Sequence, residues 1–185
     1  MFTFCSGPPE RIGVYENESY VGDGSLIRNL VGDHEFASRI PGYMKLVPCD
    51  TTATELNVSV TVQLEDKEPR GVPQKVNVCL LRIPSNHVNE ELFTKNAAVK
   101  IASMEVSFSE HCDTFVNEEQ KEIRNTWTIT GNVFINVPLH KGDRIIIRNE
   151  YLNVNFHTFA IVATVSHKRI KQPLTTTIIS SSLLS

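Results

Sequence analysis

The chain has 185 residues, of which 41% are apolar and 21% charged, with a formal charge of −3. That is one domain, or one domain with arms, and long enough to bury a substantial core. The charge argues against a nucleic-acid coat, because neutralising phosphates needs clustered Lys and Arg, whereas "MFTFCSGPPER" at one end carries one Arg and "KQPLTTTIISSSLLS" at the other one Lys.

Residues 1–45 are rich in Gly, Pro and isolated aromatics ("GPPERIGVYENESYVGDG") with little sustained alternation. They are expected to form an N-terminal arm holding one or two short strands, with "KLVPC" near its end. Nothing in "MFTFCSGPPE" suggests a signal peptide, and no run approaches the ~20 apolar residues of a membrane helix. The four cysteines (Cys5, Cys49, Cys79, Cys112) form no Cys-x-x-Cys and are expected as free thiols. The sequons at Asn17 and Asn57 then carry little meaning, since glycosylation needs the secretory pathway.

From residue 55 onward, period-two alternation dominates. "ELNVSVTVQL" puts Leu56, Val58, Val60, Val62 and Leu64 on one face and Asn57, Ser59, Thr61 and Gln63 on the other, a half-buried strand. "EDKEPRGVPQ" breaks it as a surface loop, and the acidic run in "QLEDKE" reads as solvated charge. "KVNVCLLRI" is apolar on both faces and is expected nearer a sheet centre. "NEELFTKNAAV" has helical features, with Asn89 as N-cap and Glu90 and Glu91 in the first turn. "IASMEVSF" turns Ala102, Met104, Val106 and Phe108 inward, and the polar "VNEEQKEIRN" reads as a loop or single turn.

"NTWTITGNVFINVPL" alternates over many residues, with Trp127 expected as a core anchor and Gly131 as the natural place for a bulge. "LHKGDRIIIRNEY" reads as a β-hairpin. Gly142 supplies the positive φ, Asp143 tolerates turn geometry and Lys141 keeps the tip wet. Lys141, Gly142 and Asp143 are thus the one candidate exposed turn, with Leu139 and Val137 facing Ile145 and Ile147. "FHTFAIVATVSH" places Phe159, Ile161, Ala163 and Val165 on one face. The boundaries that follow are an arm over 1–45, an all-β domain over 46–170 and a Thr/Ser-rich tail over 171–185. Strands at these spacings, without a βαβ rhythm, predict an antiparallel β-sandwich, a single jelly roll.

Candidate chemistry is sparse. In "SEHCDTF", Glu110, His111, Cys112 and Asp113 stand together, but neighbours on an extended segment point to opposite faces and cannot form a Cys–His pair. The six histidines (His34, His87, His111, His140, His157, His167) have no i, i+4 spacing and no paired-Cys companion. No catalytic residue, cofactor or metal site is expected. With aromatics at 8%, a carbohydrate-binding sandwich has little support either.

Over residues 131–167 the chain resembles the last strands of C1q/TNF-like jelly rolls. Leu139, Gly142, Asp143 and Ile145 fit their leucine–glycine–aspartate–aliphatic pattern, and "TFAIVATV" falls at their closing strand, although Ala160 and Ile161 follow Phe159 where that motif has a glycine. In size and architecture it also resembles viral single jelly-roll capsid and penton proteins. The first resemblance implies a trimeric receptor-binding module. The second implies a shell component of vertex, penton or minor capsid type: a homo-oligomer, pentamer or trimer, touching other capsid subunits but neither genome nor membrane. Its expected location is the virion, after assembly in the host cytoplasm or nucleus. The missing signal peptide and free thiols favour the second.

Overall fold

The computed structural model describes residues 1–12, 17–28, 30, 32–64, 74–87, 95–108, 114–117, 122–152 and 156–170. Its strands are β1 (Phe2–Cys5), β2 (Glu18–Val21), β3 (Leu26–Arg28), β4 (Lys45–Leu46), β5 (Thr51–Leu64), β6 (Gln74–Ile83), β7 (Val99–Phe108), β8 (Thr114–Asn117), β9 (Glu122–Leu139), β10 (Arg144–Leu152) and β11 (Phe156–Arg169), with one helix, α1 (Gly32–Arg39). One sheet has the order β1-β11-β5-β9-β8, the other β3-β2-β10-β6-β7, with β4 beside β2 on the same edge of β10. The chain is an all-β antiparallel sandwich.

The pairing is nested. Set aside β3, β4 and β8, and the first strand pairs with the last (β1–β11), the second with the seventh (β2–β10), the third with the sixth (β5–β9) and the fourth with the fifth (β6–β7), all antiparallel. Two further pairings, β11–β5 and β10–β6, roll this long hairpin into two sheets. That is the eight-strand order of a jelly roll.

Alternation decides which faces meet. On β5, Leu56, Val58, Val60 and Val62 are buried while Asn57, Ser59 and Thr61 are half-buried. They pack against Phe159, Ile161, Ala163 and Val165 of β11 and, from the other sheet, Val76, Val78, Leu80, Ile145 and Ile147. Side chains of this size each gain about 1.5–3 kcal/mol on full burial. β6 is buried on both faces, as its composition predicts. Its other face joins a second core, where Cys79, Leu81, Ile83 and Ile146 meet Tyr20, Ile27, Phe36 and Ile40.

That second core corrects the boundary at residue 45. β1 and β2 are jelly-roll strands and α1 lids the outer face of the second sheet, with Phe4, Tyr20, Val21, Phe36 and Ile40 all buried. The described residues of 1–45 thus supply strands and a lid to the sandwich and do not form a separate arm. Their strands hold only two to four residues, too short to show a period. β2 is buried on both sides, so Ser19, Tyr20 and Val21 do not alternate. The helix was equally hidden, since two residues, Phe36 and Ile40, supply its i, i+4 apolar contact. Pro41 ends it and opens a single 3-10 turn to Tyr43.

Two further expectations change. Gly131 pairs in regular register with Val58, and the bulge lies three residues on, where Ala53↔Val137 and Glu55↔Phe134 leave an extra residue on β9. Gly131 instead makes room: a Cβ there would stand 3.0 Å from the Met104 sulfur across the sandwich. In "VNEEQKEIRN", Val116–Asn117 and Glu122–Asn125 are strand, pairing β8 with β9 from Asn117↔Glu122, while 118–121 lie outside the described residues. Of the helix expected over 89–99, Lys95–Ala97 is instead one 3-10 turn and Val99 already opens β7; residues 89–94, the loop over 65–73 and the tail over 171–185 lie outside the described residues, as do the side chains of Leu64, Phe108 and Trp127.

β1 is held at its far end by a backbone crossing. The Gly24 amide donates to the Cys5 carbonyl at 2.9 Å, and Gly7 lies against Gly24 with φ +77°. A Cβ at Gly7 would meet the Gly24 oxygen at 2.2 Å, whereas Gly24, also at positive φ, has open space around it. Gly7→Ala is expected to cost about 3 kcal/mol or more, strain and clash together, and Gly24→Ala only about 1–2 kcal/mol. Urea denaturation of the two variants measures the difference.

Candidate interaction surfaces

The Lys141–Gly142–Asp143 turn joins β9 to β10, and these strands lie in different sheets. It is therefore a corner between layers and not the expected hairpin. Gly142 has φ +91°, as the turn demands. The three side chains part company: Lys141 is exposed, Gly142 half-buried, and Asp143 only 2% exposed. The Asp143 carboxylate accepts from the Ser85 amide at 3.1 Å and the His140 amide at 2.8 Å. Its backbone accepts from the Val47 amide at 2.8 Å, and the Gly142 amide donates to the Val47 carbonyl at 2.9 Å. The Lys141 amide donates to the Asp50 carboxylate at 2.8 Å. A carboxylate so used is an internal strut, fastening the corner to the segments before β5 and after β6. Leu139, Ile145 and Ile147 do share the inner core.

A second polar group occupies the outer face of the β2-β10-β6-β7 sheet, where cross-strand register stacks Tyr20, Arg148 and Cys79 in one row and Glu18, Glu150 and Asn77 in the next. Glu150 pairs with Arg148 and accepts from Asn77 at 2.7 Å and Lys100 at 3.4 Å. Burial alone would raise its pKa, but the Asn77 hydrogen bond and the Arg148 and Lys100 cations outweigh it and leave the carboxyl below its usual range. Burial, reinforced by Glu18, pushes Tyr20 up to about 12, and burial likewise raises the Cys79 thiol. Both stay neutral, so this is a neutralised packing cluster beside α1 rather than a reactive centre. Sequence reading missed it because its members come from four strands. The one local signal is the polar pair Arg148 and Glu150 set two apart in an apolar strand.

The third surface is the outer face of the other sheet. Along β5 from Glu55 to Gln63 and the strands registered with it, the outward side chains are Thr, Ser, Asn and Gln with a few small or apolar residues. Among the described residues there, Glu55 alone is charged, and it is tied to Asn132 at 2.7 Å. Thr61 and Thr128 bridge strands at 2.9 Å. Asn57, Ser59, Thr130, Asn132, Val162 and Thr164 line a shallow depression of about 460 Å³, with Val58 and Gly131 at its floor. Phe134 stands beside it, 79% exposed.

The remaining expectations divide. Among the described residues, no three His, Cys, Asp or Glu side chains gather as a metal site, and no helix is long and apolar enough to cross a membrane. His140 reaches Asp143 at 3.7 Å, while His167 stacks on Phe2 and meets the Thr51 hydroxyl at 3.2 Å. Cys5, Cys49 and Cys79 are free thiols. Of the sequons, Asn57 lies on the outer face just described, whereas the Ser19 hydroxyl of the other is buried against Tyr151 at 2.6 Å. Glu110, His111, Cys112 and Asp113 lie outside the described residues, as do 65–68 and the His157 side chain.

No protein-family model matches the sequence and no curated protein is similar to it. Among solved structures, the chain is similar to an Eiger TNF from S. frugiperda at 11% identity and TM-score 0.36, covering 93% of this chain and 96% of that one. It is similar also to a chain of the empty virus-like particle of Cowpea Mosaic Virus (8% identity, TM-score 0.32, 92% and 84% covered) and to one of that virus's naturally occurring empty particles (7%, 0.32, 92% and 87%). Likeness this slight carries no argument, and the fold stands on the strand order.

Two outcomes are expected. Asp143→Ala removes the acceptor of two part-buried amides and should cost about 1–3 kcal/mol, against about 0.5 kcal/mol or less for Lys141→Ala; denaturant midpoints decide. The depressed Glu150 carboxyl adds stability that is present above its ordinary value of 4.5 and is lost as pH falls through the folded value. Thermal melts from pH 5 to about pH 3 should therefore fall less steeply for Glu150→Gln than for the wild type.

Proposed function

We propose that this chain is a non-catalytic structural protein that self-assembles, a capsid shell subunit of the single jelly-roll vertex, penton or minor type. It acts through contacts with other copies and with neighbouring shell subunits, in the virion, without touching the genome. The observation that carries this reading is where the polar groups are used. Asp143, the residue that a displayed recognition turn needs outward, is buried as a strut. What the described surface offers a partner is a flat strand face with a shallow, open depression. Flat, broad faces suit protein–protein contact, whereas small ligands need enclosing pockets. The free thiols of Cys5, Cys49 and Cys79 fit assembly in a reducing compartment.

A second reading, a trimeric receptor-binding module of C1q/TNF-like type, rests on Leu139, Gly142, Asp143 and Ile145, which the corner does place in sequence between the two sheets. Native mass spectrometry with thiol counting separates the two. A closed ring, five copies foremost, with reduced cysteines is the expected result. A stable trimer carrying a glycan on Asn57 would overturn the capsid reading, and a monomer at every concentration would overturn both.

A further inference from the structure

Resting on the assembly reading, we infer that the outer face of the β1-β11-β5-β9 layer is the surface on which one copy docks a second copy of this same chain by a two-fold contact, separate from the head-to-tail contacts that close a ring. Three observations lead there. The first is charge. The chain is 21% charged, yet over the part of this face registered with Glu55 to Gln63 the one charged side chain among the described residues is Glu55, which Asn132 engages. A two-fold contact sets a patch against itself, so any net charge on the patch would repel its own image. With a single carboxylate, the self-repulsion of a two-fold contact is small and screened by salt, and a partner of either sign gains little steering from the face.

The second is area. Three strands of about ten residues with the four residues of β1 beside them, spaced about 4.8 Å and rising about 3.3 Å per residue, present a plane of roughly 540 Å². Standard specific interfaces bury about 800 Å² per partner. The face by itself falls short of a standard interface, which suits a weak, concentration-dependent contact and not an obligate one.

The third is composition. Interface centres are depleted in charge and enriched in aromatics, and here Phe134 is 79% exposed and Val162 42% exposed on one otherwise polar face. Phe134 stands beside the depression between β5, β9 and β11. In a two-fold contact, each copy's Phe134 can enter the partner's depression, exchanging exposed ring for burial while the Thr, Ser and Asn hydroxyls and amides find partners across the interface. The opposite sheet offers no equivalent, because α1 already covers much of its outer face.

The test is light scattering on size-separated full-length protein across a concentration series. Ser59→Arg plants a cation at the centre of the face, doubled by symmetry, and should weaken the contact at least tenfold. Phe134→Ser should weaken it in the same direction. Ser103→Arg, on the outward face of β7, should leave it unchanged. Circular dichroism melts report folding, and Phe134→Ser carries the test if Ser59→Arg does not fold. If the wild type assembles and both face variants assemble equally well, this inference is overturned while the assembly reading stands. Dissociation by Ser103→Arg alone places the contact on the other sheet and overturns it too. A wild type that stays monomeric throughout removes the assembly reading itself.

Discussion

Closure of the nested hairpin at its two ends is the constraint on which the rest of this molecule depends. Phe2 must find Val165, and Cys5 must find Val162, before the first sheet has its outer strand. Closing a loop of that length carries an entropy cost that grows only slowly with length, about 0.6 kcal/mol per doubling. What offsets it is the pair of apolar stripes on β5 and β11, whose thirteen registered residue pairs bring Leu56, Val58, Val60 and Val62 beside Val165, Ala163, Ile161 and Phe159. Once β11 lies on β5, β1 has a ready edge to join, and its Phe4 drops into the same core. The Gly7–Gly24 crossing then ties β1 to the turn between β2 and β3, so that the two sheets are joined by backbone as well as by side chains.

The corners obey a different rule. Where the chain leaves one sheet for the other, strand ladders end and backbone amides and carbonyls lose their partners, so side-chain acceptors and donors have to serve. Asp143 serves Ser85 and His140, Asp50 serves Lys141, Glu10 serves the Leu26 amide, and Thr51 bonds the Lys168 carbonyl. Carboxylates that look like surface chemistry in the sequence are thereby consumed within the fold. The same logic removes the Glu150 cluster from consideration as a reactive centre. Its charges are matched across strands, and burial holds Tyr20 and Cys79 in their neutral forms.

With those groups committed, the two outer faces of the sandwich differ in kind. One is roofed by α1 over an apolar patch; on the other, among the described residues along Glu55 to Gln63 and the strands registered with it, Glu55 is the one charged side chain. A protein that acted as an isolated monomer would gain solubility from charge on such a face. Its uncharged character is intelligible if another surface is to meet it, and this links the proposed assembly to the docking face.

Much of the fold was legible in the sequence wherever strands were long. Alternation over β5, β7 and β11 gave the inward faces, and the double-sided apolarity of β6 foretold its central place, because a period of two is a local property of the chain. Short elements were not legible: β1 to β4 hold too few residues for a period, and α1 offers the core Phe36, joined by Ile40 just past its end. The Lys141–Gly142–Asp143 turn marks the boundary between the two kinds of knowledge. The sequence by itself determined that the chain turns there, since Gly142 at φ +91° needs a residue without Cβ. Whether the turn closes a hairpin or crosses between sheets depends on which strands β9 and β10 pair with, β5 and β6 respectively, and those partners lie far away in sequence. Only the tertiary structure decided that, and with it that Asp143 faces inward, because burial is settled by distant strands and not by the neighbours of a residue in the chain.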